Sequence, residues 1–182
     1  MSKGIVSVFG GSSPQPGSPA YQEAYTLGEL LAQAGYTVMT GGYYGTMEAA
    51  SKGAKAAGGH VIGVTVSLFE RSGRLTPNPY NDEVIRYDNL HERLLHLVAR
   101  CNAAVALRGG IGTLSEVALT WSLLQVGQIG PKPLILLGRQ WQDLLTQFFG
   151  AGEYVRPDDM KLWTYAQTPQ EAVSTLDGWL GQ

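Results

Sequence analysis

Short apolar segments alternate with helical patterns along the whole chain, and this alternation constrains the fold more than any other feature. The apolar segments predict six strands, at 4–9, 36–39, 60–66, 83–87, 103–107 and 133–137. The patterns between and after them predict six helices. Two lie at about 20–34 and 46–57, a third begins at 88 or 89, a fourth ends at about 126, a fifth lies at 141–149 and a sixth begins at 168. Most of the strands are continuous apolar runs, as expected of a parallel sheet covered on both faces. The sequence therefore predicts a doubly wound α/β fold, a mostly parallel sheet of six to seven strands with helices on both faces (Rossmann-like), in a single domain over 1–182.

The charge and cysteine content exclude several classes of partner. Thirteen Lys and Arg residues against fifteen Asp and Glu leave no basic excess with which to bind nucleic acid or a membrane surface. No apolar run approaches the roughly 20 residues that span a bilayer. The N-terminus lacks a signal-peptide pattern, and the single cysteine, Cys101, cannot form an internal disulfide. We expect a cytoplasmic protein with neither nucleic acid nor membrane as a partner.

Glycines cluster directly after three of the predicted strands. Of 182 residues, 24 are glycine, about twice the usual share of roughly 7%. The clusters are Gly10-Gly11-Ser12, Gly41-Gly42 with Gly45, and Gly109-Gly110-Ile111-Gly112-Thr113. In a doubly wound sheet, ligands bind at this edge, outside the carboxyl ends of the strands. The first cluster lacks the G-x-G-x-x-G spacing of a dinucleotide site, and on its own a tight turn explains it better than a binding site does.

The third cluster predicts a phosphate site. It joins a buried strand to a helix N-terminus, where free N–H groups and the helix dipole favour an anion. No lysine follows Gly112, so the segment is not a triphosphate P-loop. A glycine-rich turn with Thr113 as the helix N-cap is the alternative.

Glu116 and Arg93 are the candidate catalytic residues, and each has a structural alternative. Thr113 to Glu116 has the spacing of a capping box, which on spacing alone ranks above a role in acid–base chemistry. Arg93 is predicted at the edge of an apolar helix stripe, as a fixed cation near a phosphate or ribose. The stripe consists of Leu90, Leu94, Leu97 and Val98. A surface ion pair, for example with Glu92, is the alternative for Arg93.

No pattern predicts a metal site or a catalytic triad. His91 and His96 are five residues apart, which places them about 140° apart on a helix, unlike the pair in H-E-x-x-H. Cys101 follows an apolar stripe and is predicted to lie in the core. Ser12 lies at the binding edge, but no spacing supplies its base. We expect no metal ion and no cofactor.

The Leu90-His91-Glu92-Arg93 segment followed by Gly109 to Glu116 resembles the paired signature of the LONELY GUY family, Rossmann-type proteins often labelled "lysine decarboxylase-like". The resemblance implies a phosphoribohydrolase that converts a nucleoside 5′-monophosphate, AMP or a cytokinin nucleotide, to free base and ribose 5-phosphate, with catalytic Arg93 and Glu116. The nucleotide-binding residues that it implies are Gly10, Gly11, Ser12, Gly42, Met47, Gly109, Gly110, Ile111, Gly112 and Thr113. Arg108, which precedes Gly109, is counted with them because its charge either adds to the phosphate site or alters the approach to it.

Two positions depart from the family pattern. Arg108 replaces the proline before the glycine pair, and Leu94 replaces the lysine after the catalytic arginine. Some proteins of this fold bind nucleotides or cofactors without cleaving them. A carrier similar to the molybdenum-cofactor carrier is therefore the alternative function. Decarboxylation is not predicted, because nothing marks any lysine as a Schiff-base residue.

Two further expectations concern surfaces. The helix after the phosphate loop is apolar around most of its circumference, which predicts a homodimer through this helix, as in the family. Coverage by Trp163 and Trp179 is the alternative. The segment 67–82 is predicted to be a long loop that covers the site.

Overall fold

All seven strands of the described residues join one parallel sheet. The computed structural model describes residues 2–71, 73, 75–150 and 154–180. The strands are β1 Ile5–Phe9, β2 Thr37–Thr40, β3 Val61–Val66, β4 Glu83–Tyr87, β5 Ala103–Ala106, β6 Leu134–Leu137 and β7 Thr164–Ala166. Their order is β4-β3-β2-β1-β5-β6-β7, and every neighbouring pair is parallel. The structure confirms the predicted fold class.

Helices cover both faces of this sheet. They are α1 Pro19–Gln33, α2 Thr46–Ala56, α3 Ser67–Glu70, α4 Leu90–Ala99, α5 Ile111–Gln125, α6 Arg139–Phe149 and α7 Pro169–Leu180, with a 3₁₀ turn at Asp159–Leu162. Side chains of α1, α2 and α7 pack in one apolar core, and those of α4, α5 and α6 in a second core on the opposite face. The order in which the chain adds strands to the sheet reverses between β1 and β5, and in doubly wound sheets ligands bind at the carboxyl edge near such a point.

The edge strands depart most from the predicted pattern. The side chains of β4 are exposed or half-buried, and Val84 is 41% exposed, because β4 has a neighbour on one side only. The three residues of β7 pair with β6 at the other edge. This strand has no segment of its own among the six predicted ones, although the upper bound of seven strands includes it.

The segment 67–82 is not a loop throughout, which corrects the prediction. It opens with α3, and Ser72 and Arg74 lie outside the described residues. Its second half is fastened to the loop after β2. The backbone N–H of Asn78 donates to the carbonyl oxygen of Gly42 at 2.8 Å, and the Asn78 side chain, 3% exposed, donates to that of Tyr43 at 2.8 Å.

Within the part of the chain that the structure describes, no helix combines the length and the apolar character needed to cross a membrane.

Candidate functional site

The three glycine loops meet at the carboxyl edge of the sheet. The loops after β1 and β5 touch, since a Cβ on Gly109 would lie 3.0 Å from the backbone nitrogen of Gly11. The loop after β1 also contacts the start of α2, because Thr46 donates to the Gly11 carbonyl oxygen through its backbone N–H (2.9 Å) and its hydroxyl (3.0 Å). A Cβ on Gly10 would overlap the hydroxyl oxygen of Thr46. Close backbone approach therefore explains why these positions are glycine.

The N-terminus of α5 presents unpaired backbone donors. Gly110 is the N-cap and supplies no side-chain bond, and the first backbone bond runs from the Leu114 N–H to the Gly110 carbonyl at 3.0 Å. Among the described residues, none accepts from the N–H groups of Ile111, Gly112 and Thr113. A Cβ on Gly110 or on Gly112 would meet no atom within 4 Å. Open space in front of free N–H groups suits an anion.

The alternative in which Thr113 caps this helix is wrong. Because α5 begins at Ile111, Thr113 is its third residue, and its side chain is 2% exposed. A Cβ on Gly109 would overlap the Thr113 hydroxyl oxygen, so the threonine packs beneath the glycine loop. With no cap at Thr113, the capping-box explanation of Glu116 fails as well.

Glu116 is a buried acid without a hydrogen-bond donor. Its side chain lies one turn into α5, on the same helix face as Thr113, and is 8% exposed. No hydrogen bond from the described residues reaches its carboxylate. Burial raises the pKa of Glu116 to about 7, and the positive charge of Arg93 opposes this rise. A carboxyl group with such a pKa can take up a proton near neutral pH.

Arg93 lies deeper than the sequence predicted. Asn89 caps α4, and the first turns of that helix carry Arg93 into the buried stripe beside Leu97, whereas Leu90 of the predicted stripe is 44% exposed. The Arg93 side chain is 8% exposed. Its Nε donates to the Val64 carbonyl oxygen at 2.8 Å and its Nη2 to that of Gly41 at 3.0 Å.

The two buried charges are not paired with each other. Neither Arg93 nor Glu116 makes an ion pair within 4.0 Å with any described residue, which excludes the predicted alternative of a surface pair with Glu92. Burial lowers the pKa of Arg93, and the negative charge of Glu116 raises it again. Unpaired buried charges are costly, and such groups are characteristic of functional sites. Nη1 of Arg93 makes no bond with the described residues and remains free for a ligand.

The other predicted site residues fall into two groups. Met47 and Gly42 lie with the site: Met47 Sδ would be 2.6 Å from a Cβ on Gly41, and Gly42 has a φ of 77° and lies against β3. The side chains of Ser12, Arg108 and Ile111 are exposed, and Ile111 is 81% exposed. Arg108 makes no ion pair with a described residue, so its charge faces solvent at the mouth of the site.

Sequence reasoning assigned no role to Tyr43 and Asn78. Tyr43 is 2% exposed, with its ring 5.8 Å from Arg93 Cζ, and Asn78 supports the same loop. The one available signal was an aromatic residue inside a glycine cluster.

Two observations concern metal binding and Schiff-base chemistry. Among the described residues, no group of three or more His, Cys, Asp or Glu side chains could hold a metal ion. The amine of Lys132 donates to the carbonyl oxygens of Val98 (3.3 Å), Ala99 (3.2 Å) and Cys101 (2.6 Å) at the end of α4. These bonds hold the lysine amine at the C-terminal end of α4, away from the glycine loops.

Comparison with known proteins finds a matching family model, relatives by sequence and similar solved structures. The sequence model of the SLOG cluster4 family matches residues 3–160. The probable cytokinin riboside 5′-monophosphate phosphoribohydrolase LOGL9 of Oryza sativa subsp. japonica is 33% identical over 177 residues, which cover 94% of this chain and 77% of that protein. An uncharacterized protein of Archaeoglobus fulgidus is 39% identical over 99 residues, 54% of this chain and 62% of its own length.

Among solved structures, the molybdenum cofactor binding protein of Rippkaea orientalis is similar over 99% of both chains, with 29% identity and a TM-score of 0.76.

Proposed function

The chain belongs to the SLOG cluster4 family of LONELY GUY-like proteins, and from this premise we propose that it is a phosphoribohydrolase. The proposed reaction is hydrolysis of the N-glycosidic bond of a nucleoside 5′-monophosphate, AMP or a cytokinin nucleotide, to free base and ribose 5-phosphate. One observation carries the proposal: two unpaired buried charges, Arg93 and Glu116, lie beside an uncapped helix N-terminus. The relative from rice, named as a probable phosphoribohydrolase, supports it.

In this proposal the 5′-phosphate binds at the start of α5. The free N–H groups of Ile111, Gly112 and Thr113 donate to its oxygens, and the helix dipole adds to the attraction. Arg108 contributes a cation at the mouth. Phosphate binding fixes the sugar so that C1′ lies toward Glu116, which stands one turn further along the same helix.

Glu116 acts as the base and electrostatic partner of the reaction. Cleavage of the N-glycosidic bond leaves positive charge on the sugar, and a carboxylate in a buried site stabilises that charge strongly. The departing base takes the electron pair of the broken C1′–N bond, and the oxygen of the attacking water forms the new bond to C1′. The carboxylate takes a proton from that water, and the proton then passes to the base, so that free base and ribose 5-phosphate leave and Glu116 is ionised again. Arg93, held by two backbone carbonyls, offers Nη1 to the substrate.

The proposal is tested by incubating the protein with AMP and with isopentenyladenosine monophosphate, and by assaying free base and ribose 5-phosphate. Adenosine, which lacks the phosphate, is the control and should not react measurably. Because Glu116 must be ionised and its pKa is about 7, turnover should rise as the pH increases through 7. Saturable binding without products would contradict hydrolysis.

Gly112→Ala is expected to weaken AMP binding without destabilising the fold. A Cβ at Gly112 meets no protein atom within 4 Å, and alanine in a helix is about 1 kcal/mol more favourable than glycine. The methyl group would occupy space that the proposal gives to the phosphate, so the Kd for AMP should rise about tenfold or more. Calorimetric titration and thermal unfolding measure the two effects.

Gly130→Ala serves as the matched control, because a Cβ there also meets nothing within 4 Å and the position lies after α5, far along the chain from the loop. Unchanged AMP affinity in Gly112→Ala would contradict the phosphate site.

The second candidate function is binding and delivery of a nucleotide or cofactor without cleavage. It is favoured by the similarity of the Rippkaea orientalis protein, a molybdenum cofactor binding protein, over 99% of both chains. In that case the buried charges hold the ligand, and the assay above would find binding alone.

We also propose a homodimer through α5. The structure leaves an apolar groove of about 540 Å³ between α5 and α6, with Leu114 (40% exposed) and Phe148 (74% exposed) on its walls. Trp163 packs on Trp121 of α5, with 6.5 Å between ring centroids, but does not line the groove, and Trp179, 46% exposed, belongs to α7. A second copy would cover the groove.

Phe148→Asp is therefore expected to convert a dimer to a monomer at micromolar concentration, because a charge in an apolar interface is desolvated on association. Sedimentation velocity measures the change, and Leu68→Asp, on the 59% exposed Leu68 of α3, is the control. A monomeric wild-type protein would remove this part of the proposal.

A further inference from the structure

Tyr43 is held in a fixed position by three elements. Its hydroxyl accepts a hydrogen bond from the Val66 N–H at 2.8 Å and lies 3.0 Å from the Val66 carbonyl oxygen, to which it can donate. Its backbone carbonyl accepts from Asn78 Nδ2, and its ring packs against Phe69 at 5.9 Å between centroids. The end of β3, the start of α3 and the segment after it thus immobilise a large side chain that is 2% exposed.

The guanidinium of Arg93 is surrounded by the same elements. Val64, which binds Nε, lies on β3 two residues before Val66, and Gly41, which binds Nη2, lies two residues before Tyr43. The Tyr43 ring lies 5.8 Å from Arg93 Cζ. No described carboxylate lies within 4.0 Å of Arg93, so its close polar contacts are the ring and two carbonyl groups, and the charge of Glu116 acts on it from beyond that distance.

We infer that Tyr43 is a positioning residue, which fixes the guanidinium of Arg93 so that Nη1 faces the ligand and the charge faces Glu116. Two carbonyl bonds alone leave the guanidinium able to rotate if the ring beside it is removed, because the vacated space admits water and other rotamers. The part of the inference that concerns turnover rests on the proposed function. The part that concerns AMP binding needs only the nucleotide site that both candidate functions share, and the part that concerns Arg93 and Glu116 rests on neither.

The test compares Tyr43→Phe, which keeps the ring and removes the hydroxyl, with Tyr43→Leu, which removes the ring. A desolvated contact between a cation and an aromatic ring supports an effect of about tenfold. We expect Tyr43→Leu to weaken AMP binding about tenfold, and Tyr43→Phe to bind AMP as the wild type does. Where AMP is cleaved, kcat should fall more than KM rises in Tyr43→Leu.

A second readout follows the ionisation of Glu116 by carbon NMR of the labelled carboxyl group. The charge of Arg93 acts directly on the ionisation of Glu116, and Tyr43 acts on it through Arg93. The Tyr43 hydroxyl also faces the Glu70 carboxylate, which forms an ion pair with Arg86. Displacing Arg93 removes a charge that lowers the pKa of Glu116, so the titration midpoint should move upward in Tyr43→Leu and stay in place in Tyr43→Phe.

A purely structural role would lower the melting temperature of both variants and leave AMP affinity and the Glu116 midpoint of the folded protein unchanged. That result, or wild-type behaviour of Tyr43→Leu, would overturn the inference. If Tyr43→Leu does not fold, Tyr43→Met takes its place. Absence of AMP cleavage in the wild type would refute the proposed function alone, because the NMR midpoint and AMP affinity would still decide the role of Tyr43.

Discussion

Replacing Glu116 by glutamine is expected to lower turnover by about 10²–10⁴-fold and, at pH 8, to raise the free energy of unfolding by about 3 kcal/mol. Burial raises the pKa of Glu116 from 4.5 to about 7, so the native state resists ionisation of this group. The stability that comes from its protonated form is fully present below pH 4.5 and is lost as the pH rises through 7. Each pKa unit corresponds to about 1.4 kcal/mol, and glutamine, which never ionises, avoids the whole loss.

Denaturant unfolding of both proteins at pH 5 and pH 8 measures this effect. The increase in the free energy of unfolding in Glu116→Gln should be small at pH 5 and should approach its full size at pH 8, because Glu116 of the native wild-type protein ionises between these two pH values. Glu92→Gln is the control, since Glu92 is an exposed carboxylate on α4 and should give no such pH-dependent gain. A variant less stable than the wild type at pH 8 would contradict the burial of an unpaired charge.

The same variant separates binding from chemistry. Glutamine keeps the size of the side chain but cannot accept a proton, and loss of a general base typically lowers kcat by about 10²–10⁴-fold. AMP affinity should change far less, because the proposed phosphate contacts come from the start of α5. Wild-type turnover in Glu116→Gln would remove this residue from the mechanism and leave only its effect on stability.

The sheet was predictable because each of its interior strands forms a recognisable apolar run in the sequence. Strands buried on both faces are mostly apolar, interrupted here only by small hydroxyl residues such as Ser7 and Thr40, and the glycines after β1, β2 and β5 mark where each strand ends. The edges carry less signal. In β7, Thr164 is exposed and only Ala166 is fully buried, so its three residues do not form an apolar run. The four residues of α3 are too few to show a helical period.

Within the site, the sequence located the loops but not the depth of the side chains. Parallel strands bring their carboxyl ends to one edge, so proximity of the glycine clusters follows from the fold. The capping-box spacing was misleading, because the glycine loop lets α5 begin at Ile111, ahead of Thr113. The burial of Arg93 depends on carbonyl groups of Val64 and Gly41, and no sequence pattern reports where a backbone carbonyl points.

Gly41→Ala is expected to lower turnover about 100-fold while the protein remains folded. A Cβ at Gly41 would overlap Arg93 Nη2 and lie 2.6 Å from Met47 Sδ. Both atoms are at the ends of flexible side chains, and Gly41 has no left-handed φ, so the fold can accept alanine by moving Arg93. One methyl group would then break the bond from Nη2 to the Gly41 carbonyl and turn the guanidinium away from the ligand.

Steady-state kinetics with AMP across pH 6 to 9 tests this displacement. Movement of Arg93 away from Glu116 removes a charge that lowers the pKa of that carboxyl group, so the rise of kcat with pH should shift from about 7 to higher pH. Gly130→Ala, whose Cβ meets no atom within 4 Å, should keep the wild-type profile. An unshifted profile at wild-type rate in Gly41→Ala would mean that the position of Arg93 is irrelevant to the reaction. A lower rate with an unshifted profile would limit Arg93 to binding the substrate, because its charge would then not act on Glu116.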